Sequence, residues 1–161
     1  MFAADGLDVS VDDIARRAKV GIGTLYRHFP TKDALVAAIV VARIARVADH
    51  TETLLDSRAN ADAGEALFGL LARMVEEGAQ KRDFVDALGG SAWLDTAAVE
   101  STKQRLRTAL AKLLVRAQDQ RRVRADVQAA DLMTLVRGVL VAGDAKSRAR
   151  VLAIVLAGLR P

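Results

Sequence analysis

The sequence contains no cysteine, and its only two histidines, His28 and His50, lie far apart in the chain. Without a thiol, disulfide cross-links and thiolate catalysis are excluded. Gly21 and Gly23 have no third glycine at the spacing of a nucleotide-binding loop, and no cluster of metal-ligand residues occurs. We therefore expect no enzymatic activity, no bound metal and no cofactor.

Proline is almost absent as well, occurring only at Pro30 and Pro161, while Ala, Leu, Arg and Val dominate. This composition predicts an all-α fold. No apolar run reaches membrane-spanning length without a charge, and the beginning has no basic segment before an apolar stretch. We therefore expect a soluble, cytoplasmic protein that does not contact a membrane.

Positive charge is unevenly distributed. Residues 101–124 carry eight Lys and Arg against one acidic residue, whereas residues 1–50 carry seven against six. Because the net charge of +4 is concentrated in the middle of the chain, it is not by itself an argument for nucleic-acid binding.

Residues 11–29, VDDIARRAKVGIGTLYRHF, contain two short helical patterns separated by only three residues. Helices this close cannot have separate cores, so they must pack on one another at a steep angle, which predicts a helix-turn-helix. Ser10 is placed to cap the first helix, Val20 to fill the turn, and Leu25 and Phe29 to be buried. The outward set carries many donors and no carboxylate, which suits a phosphate backbone: Thr24, Tyr26, Arg27 and His28.

The run DDIARRAKVGIGTLYRHFPTKDAL resembles the DNA-binding end of the tetracycline-repressor (TetR) family of bacterial regulators. The segment RLRTALAKLLVRAQDQRRVRADVQAADLMTLVRG is similar, more loosely, to the ligand-binding half of the SbtR-type branch. The resemblance implies a helix-turn-helix domain at 1–45 and a helical ligand-binding and dimerisation domain at 46–161. It also implies a repressor that acts as a homodimer on near-palindromic double-stranded DNA and responds to an unidentified small molecule.

The resemblance assigns roles to individual residues. It implies phosphate contacts from Ser10, Thr24, Tyr26, His28 and Lys32, and base contacts from Ile22, Gly23 and Arg27. Arg27 can pair with guanine, whereas Ile22 can offer only apolar contact and Gly23 only its backbone. Each role has an ordinary alternative, since Tyr26 can fill the core, His28 can cap and Arg27 can be a solvated charge.

Two positions and the short beginning of the chain depart from the family pattern. Lys19 stands where a left-handed glycine is common, which would strain a residue with a side chain. Gly21 stands where Ser or Thr usually caps the recognition helix. A full helix is expected before the motif, yet only Met1 to Asp5 precede Gly6. A second hypothesis is therefore a helical, dimeric interaction protein that has lost DNA binding through this short beginning.

After Pro30, the apolar spacing predicts further helices. A long helix capped by Thr31 extends to Asp56, as a connector that is either a lever or a rigid strut. Later helices are expected around 67–78, at 84–88 and from Ala98 to Gln120. The last two are expected at 128–142 and 147–159. Their apolar residues do not fit one face each, which predicts a four-helix bundle with a second copy.

Two features of this half bear on a ligand. A pocket is expected between the middle helices, although the same residues are those of an ordinary core: Leu71, Met74, Trp93, Leu106 and Leu110. On a different face, Arg105, Lys112 and Arg116 form a basic stripe that is either solvated or contacts an acidic ligand.

Overall fold

The computed structural model of the chain describes residues 11–56, 62–87 and 96–161. Within these ranges it contains seven α-helices. No strand occurs in these ranges, which confirms the all-α prediction. None of their helices is both long enough and apolar enough to cross a lipid bilayer. The helices are α1 (Val11–Ala18), α2 (Ile22–His28), α3 (Lys32–Asp56), α4 (Ala63–Ala87), α5 (Ala97–Asp119), α6 (Ala129–Leu140) and α7 (Ala145–Gly158).

The main core lies where α3, α4, α5 and α6 meet. Apolar residues three and four apart on each helix share a face and are buried together. On α3, the buried hydroxyl of Thr51 is satisfied within its own helix, because Oγ1 donates to the carbonyl of Val47 at 2.7 Å. The largest fully buried apolar side chains are Leu67, Leu70, Leu71, Leu110, Leu113 and Leu132.

Two basic side chains of α5 hold α3 in register. The Arg105 guanidinium donates to Asp49 Oδ1 at 2.7 Å and to Glu52 Oε1 at 2.8 Å, and it also pairs with Glu52 Oε2. Arg116 Nη1 donates to the carbonyl oxygen of Leu55 at 3.2 Å. Hydrogen bonding by Arg105 lowers the pKa of Glu52. The two helices are therefore joined by polar contacts as well as by the core.

The chain from 63 to 87 forms one continuous helix, so the separate short helix predicted at 84–88 was wrong. Gly78 does not interrupt α4, because one glycine costs a helix interior only about 1 kcal/mol and this one has a packing role. A Cβ at Gly78 would lie 2.8 Å from Leu140 Cδ1. The small residue therefore lets α6 approach α4 closely. Predicted positions 88–90 and Trp93 lie outside the described residues.

The beginning of α4 is tied to the end of α5. Asp62 Oδ1 accepts the backbone N–H groups of Gly64 and Glu65 at 3.0 and 3.1 Å, and its Oδ2 pairs with Arg122 at 2.9 Å. The Gln120 side chain accepts the N–H of Ala63 at 2.7 Å. A Cβ at Gly64 would lie only 2.4 Å from Arg122 Cβ, so the contact requires glycine.

The last two helices begin at 129 and 145, slightly displaced from the predicted bounds of 128 and 147. Asp144 was missed as the cap of α7, where its Oδ1 accepts the N–H of Ser147 at 2.7 Å. That hydrogen bond lowers the pKa of Asp144. No residue within α7 is buried, although the following Leu159 is. One face of α7 is therefore left uncovered by its own subunit.

We expect Gly64→Ala to lower the free energy of unfolding by about 1–2 kcal/mol, because overpacking against Arg122 outweighs the gain in helix propensity. Urea denaturation at a fixed protein concentration measures it. Gly69→Ala, on the same helix, is the matched control, since nothing lies within 4 Å of the position that its new methyl group would take. The control should be neutral or stabilising by up to about 1 kcal/mol. Equal effects of the two substitutions would contradict the close contact.

Candidate nucleic-acid interface

Residues of the first three helices form a small core that is separate from the main one. Ala15 of α1, Leu25 of α2 and Leu35 of α3 are buried together, with Phe29 and Ile39 half-buried against them. The small side chain of Ala15 allows the helices to approach closely. The packing predicted for Leu25 is confirmed, whereas Phe29 is less enclosed than expected. Its ring lies 6.4 Å from that of His28, tilted by 53°.

A left-handed residue closes α1 before the turn. Lys19 has φ 56°, as expected for a position where glycine is common in the family. Its N–H donates to the carbonyl of Arg16 at 3.2 Å, and the N–H of Val20 donates to that of Ala15 at 3.0 Å. These two bonds define a Schellman motif, which satisfies the last carbonyls of the helix. The motif fixes the direction in which the chain leaves α1.

The two turn residues before α2, Val20 and Gly21, differ in how they support the helix. Gly21 is the N-cap, with φ −64° and ψ 137°, and it supplies no side-chain hydrogen bond, as predicted. Val20 is 42% exposed, so it does not fill the turn as expected. The N–H of Leu25 donates to the Gly21 carbonyl at 3.1 Å. The orientation of α2 therefore rests on its backbone and on Leu25 rather than on a cap.

The outward face of α2 contains the residues expected to contact DNA. Ile22 and Tyr26 are 40% and 47% exposed, and the remaining members of the set are also exposed: Gly23, Thr24, Arg27 and His28. The helix includes no carboxylate. Tyr26 therefore keeps about half of its surface available, and its alternative role as a core residue is not supported. The face combines donors with one permanent positive charge.

Two further residues were predicted to contact DNA, Ser10 and Lys32. Ser10 is outside the described residues. Lys32 is the first residue of α3, and nothing is described of its side chain. The preceding Thr31 caps α3 as predicted, because its Oγ1 accepts the N–H of Ala34 at 3.0 Å. The start of α3 is thus fixed next to the end of α2.

Of the residues predicted to line a ligand pocket, some line a cavity and others are buried in the core. Met74 and Leu106 line an apolar cavity of about 100 Å³ between α3, α4 and α5. Leu71 and Leu110 are buried in the core and do not line it, and Trp93 lies outside the described residues. Sequence reasoning missed the α3 side of this cavity. The repeat of Arg43 and Val47 at i and i+4 was the available signal: both line it with Ile44.

The helices α1 and α2 form a two-helix head with the spacing of a helix-turn-helix, and the long helix α3 joins this head to the main helical core. Residues 1–39 match the family described as bacterial regulatory proteins, tetR family. Residues 62–161 match the C-terminal domain of SbtR-like transcriptional regulators. The chain belongs to the TetR family of transcriptional regulators, which confirms the resemblance noted in its sequence.

Solved structures of similar chains agree. A TetR regulatory protein from Mycobacterium vanbaalenii is 40% identical with a TM-score of 0.75, over 99% of this chain and 88% of that one. The regulator SCO0520 from Streptomyces coelicolor is 33% identical with a TM-score of 0.77, over 99% and 92%. The ketosteroid regulator KstR2 of Mycobacterium tuberculosis, at 22% identity and a TM-score of 0.62 over 100% and 90%, shares the fold. No curated protein matches the chain.

We expect Lys19→Gly to stabilise the two-helix head by about 0.5–1 kcal/mol, because relief of the left-handed strain exceeds the added entropy of the unfolded chain. Hydrogen exchange of the α1 and α2 amides measures this locally. The control Arg17→Gly, at an exposed helical position, should destabilise by about 1 kcal/mol. Loss of protection in Lys19→Gly would show that the side chain itself holds the turn.

Proposed function

We propose that this chain is a ligand-responsive transcriptional repressor that binds a near-palindromic operator as a homodimer. The observation that carries the proposal is the exposed face of α2, which presents Thr24, Tyr26, Arg27 and His28 without a carboxylate. A helix held this way against α1 can enter a major groove. Because TetR-family regulators are generally not enzymes, the exposed donors are better explained by DNA than by a substrate.

The proposed contacts divide by chemistry. Thr24, Tyr26 and His28 donate to phosphate oxygens and set the register on the duplex. Arg27 reads a guanine edge through a bidentate pair, while Ile22 contacts a thymine methyl. Direct readout then depends mainly on one residue in each subunit. DNA shape would supply further discrimination.

A second copy would cover the exposed surface formed by the C-terminal end of α6 and by α7. Val141, just after α6, is 70% exposed and Ile154 on α7 is 66% exposed. Between such residues, Gly138, Ala153 and Ala157 are small and exposed, which permits close helix approach. Apolar side chains left in water are unfavourable, and a two-fold axis would pair the same face of both subunits.

The proposed effector acts through α3. The cavity beside Met74 and Leu106 is lined on one side by Arg43, Ile44 and Val47 of α3. A ligand that enlarges this space would displace the helix that carries the head. The response requires that the ligand bind the two arrangements with different affinities. Which molecule fits is set by a mainly apolar lining that also includes Arg43 and Glu77.

The alternative function is a helical, dimeric interaction protein that does not bind DNA. The uncovered face of α7 is compatible with both hypotheses, since it needs only a partner. The face of α2 separates them, because an interaction protein has no need of a carboxylate-free ridge. DNA binding is therefore the measurement that decides.

We expect the chain to bind DNA flanking its own gene, with an affinity that falls as salt rises and resists nonspecific competitor. Arg27→Ala should raise Kd by about tenfold or more and reduce discrimination between operator and mutated sites. Thr24→Ala should weaken binding to all sequences alike, because a phosphate contact carries no sequence information. Fluorescence anisotropy with labelled duplexes measures both.

Lys103→Ala is the control, since it removes one positive charge from α5 rather than from the head. Its Kd should stay within about twofold of the original. If Lys103→Ala and Arg27→Ala weaken binding equally, the attraction is general electrostatics and not recognition by α2. Absence of salt-sensitive binding would favour the interaction protein.

We expect Ile154→Glu to convert the dimer into monomers, because it would bury a charge at the centre of the proposed interface. Sedimentation equilibrium at micromolar concentration measures the mass. Val115→Glu is the matched control, since Val115 is 55% exposed on α5, outside the α6 and α7 face. A monomer before mutation, or equal effects of both substitutions, would refute the interface.

A further inference from the structure

A groove on the outer surface lies between α5 and α6, separate from the apolar cavity beside α3. Its volume is about 590 Å³, within the range of sites for small organic molecules. Ala111 and Met133 provide apolar surface in it, and Gln104 and Thr108 provide polar groups. The groove is large enough for a molecule with both an apolar body and a polar head.

The groove is also basic. Arg107, Lys112 and Arg137 line it, and no carboxylate is among its lining residues. Arg107 is partly neutralised, because Nη1 donates to Glu100 at 2.6 Å, and its pairing lowers the pKa of that carboxyl. Among the described residues, Arg137 Nη2 donates to the Thr134 hydroxyl, at 3.2 Å, and to no carboxylate. Uncompensated positive charge therefore remains on the α6 side.

Lys112 differs from the other two members of its basic stripe. Arg105 pairs with Asp49 and Glu52 of α3, and Arg116 donates to the Leu55 carbonyl. Lys112 forms no ion pair within the described ranges, although Glu52 attracts it weakly from a distance. The stripe is therefore divided between two tasks. Two residues connect α5 to α3, and the third is available to a ligand.

We propose that this groove binds an amphipathic organic carboxylate. Its carboxylate accepts hydrogen bonds from Lys112 and Arg137, which approach from opposite walls, and its apolar body lies against Ala111 and Met133. A free inorganic anion would use the charges but leave the apolar surface exposed, so it binds more weakly. The inference concerns ligand binding alone and does not depend on DNA binding by α2.

The test uses 11-(dansylamino)undecanoate, whose fluorescence rises in an apolar site. We expect saturable binding at one site per subunit, with dodecanoate competing and inorganic phosphate failing to compete. The uncharged methyl ester of the probe should bind about tenfold more weakly. The double variant Lys112→Gln, Arg137→Gln should show a similar loss. Ala111→Phe, which fills the groove and keeps its charges, should also reduce affinity about tenfold.

Arg17→Gln is the control, because it removes a positive charge from an exposed position on α1 that does not line the groove. It should leave probe affinity within about twofold. Circular dichroism confirms that each variant remains helical. Binding that is unchanged in both the double variant and Ala111→Phe would place the probe elsewhere and overturn the proposal. Competition by phosphate as effective as that by dodecanoate would overturn the carboxylate specificity.

Discussion

The contact between α3 and α5 is the constraint on which the rest of the structure depends. Val47 and Ala48 of α3 are buried in the same core as Leu110 and Leu113 of α5, and Arg105 adds a polar bond outside it. Individual exposed ion pairs contribute little to stability. The pairing of Arg105 with Asp49 and Glu52 instead fixes the position of α5 along α3, because the planar guanidinium binds both carboxylates in a defined orientation. The position of the two-helix head is then set by α3, whose C-terminal half is held firmly against α5.

Features governed by local chemistry could be predicted from the sequence. The two-helix head follows from residue spacing, the α3 start from Thr31, and the left-handed position from the place of Lys19 in the turn. The cap and the turn depend on hydrogen bonds within about five residues along the chain. A second Schellman motif ends α5, with Arg121 at φ 55°. It was missed because nothing in the run Arg121, Arg122 and Arg124 identifies which residue is left-handed.

Features set by distant contacts could not be predicted. The close approach of α6 to α4 depends on Gly78 facing Leu140, and the approach of α4 to the end of α5 depends on Gly64 facing Arg122. Within one basic stripe, Arg105 and Lys112 look alike in sequence. They differ because the partners of Arg105 lie 53 and 56 residues earlier in the chain. The predicted pocket residues were only partly right for the same reason. Helical spacing does not distinguish a residue that lines a cavity from one that fills the core.

The length of α3 sets how small a movement could matter. At a rise of about 1.5 Å per residue, the helix extends about 25 Å from Asp49, where Arg105 holds it, back to Lys32. A tilt of about 8° at that point would shift the far end by about 3.5 Å, close to the 3.4 Å step between base pairs in duplex DNA. For the DNA binding proposed for the head, an angular error in the anchored half would be amplified into an error of a whole base-pair step. The Arg105 contact would then need an accuracy that its modest contribution to stability does not suggest.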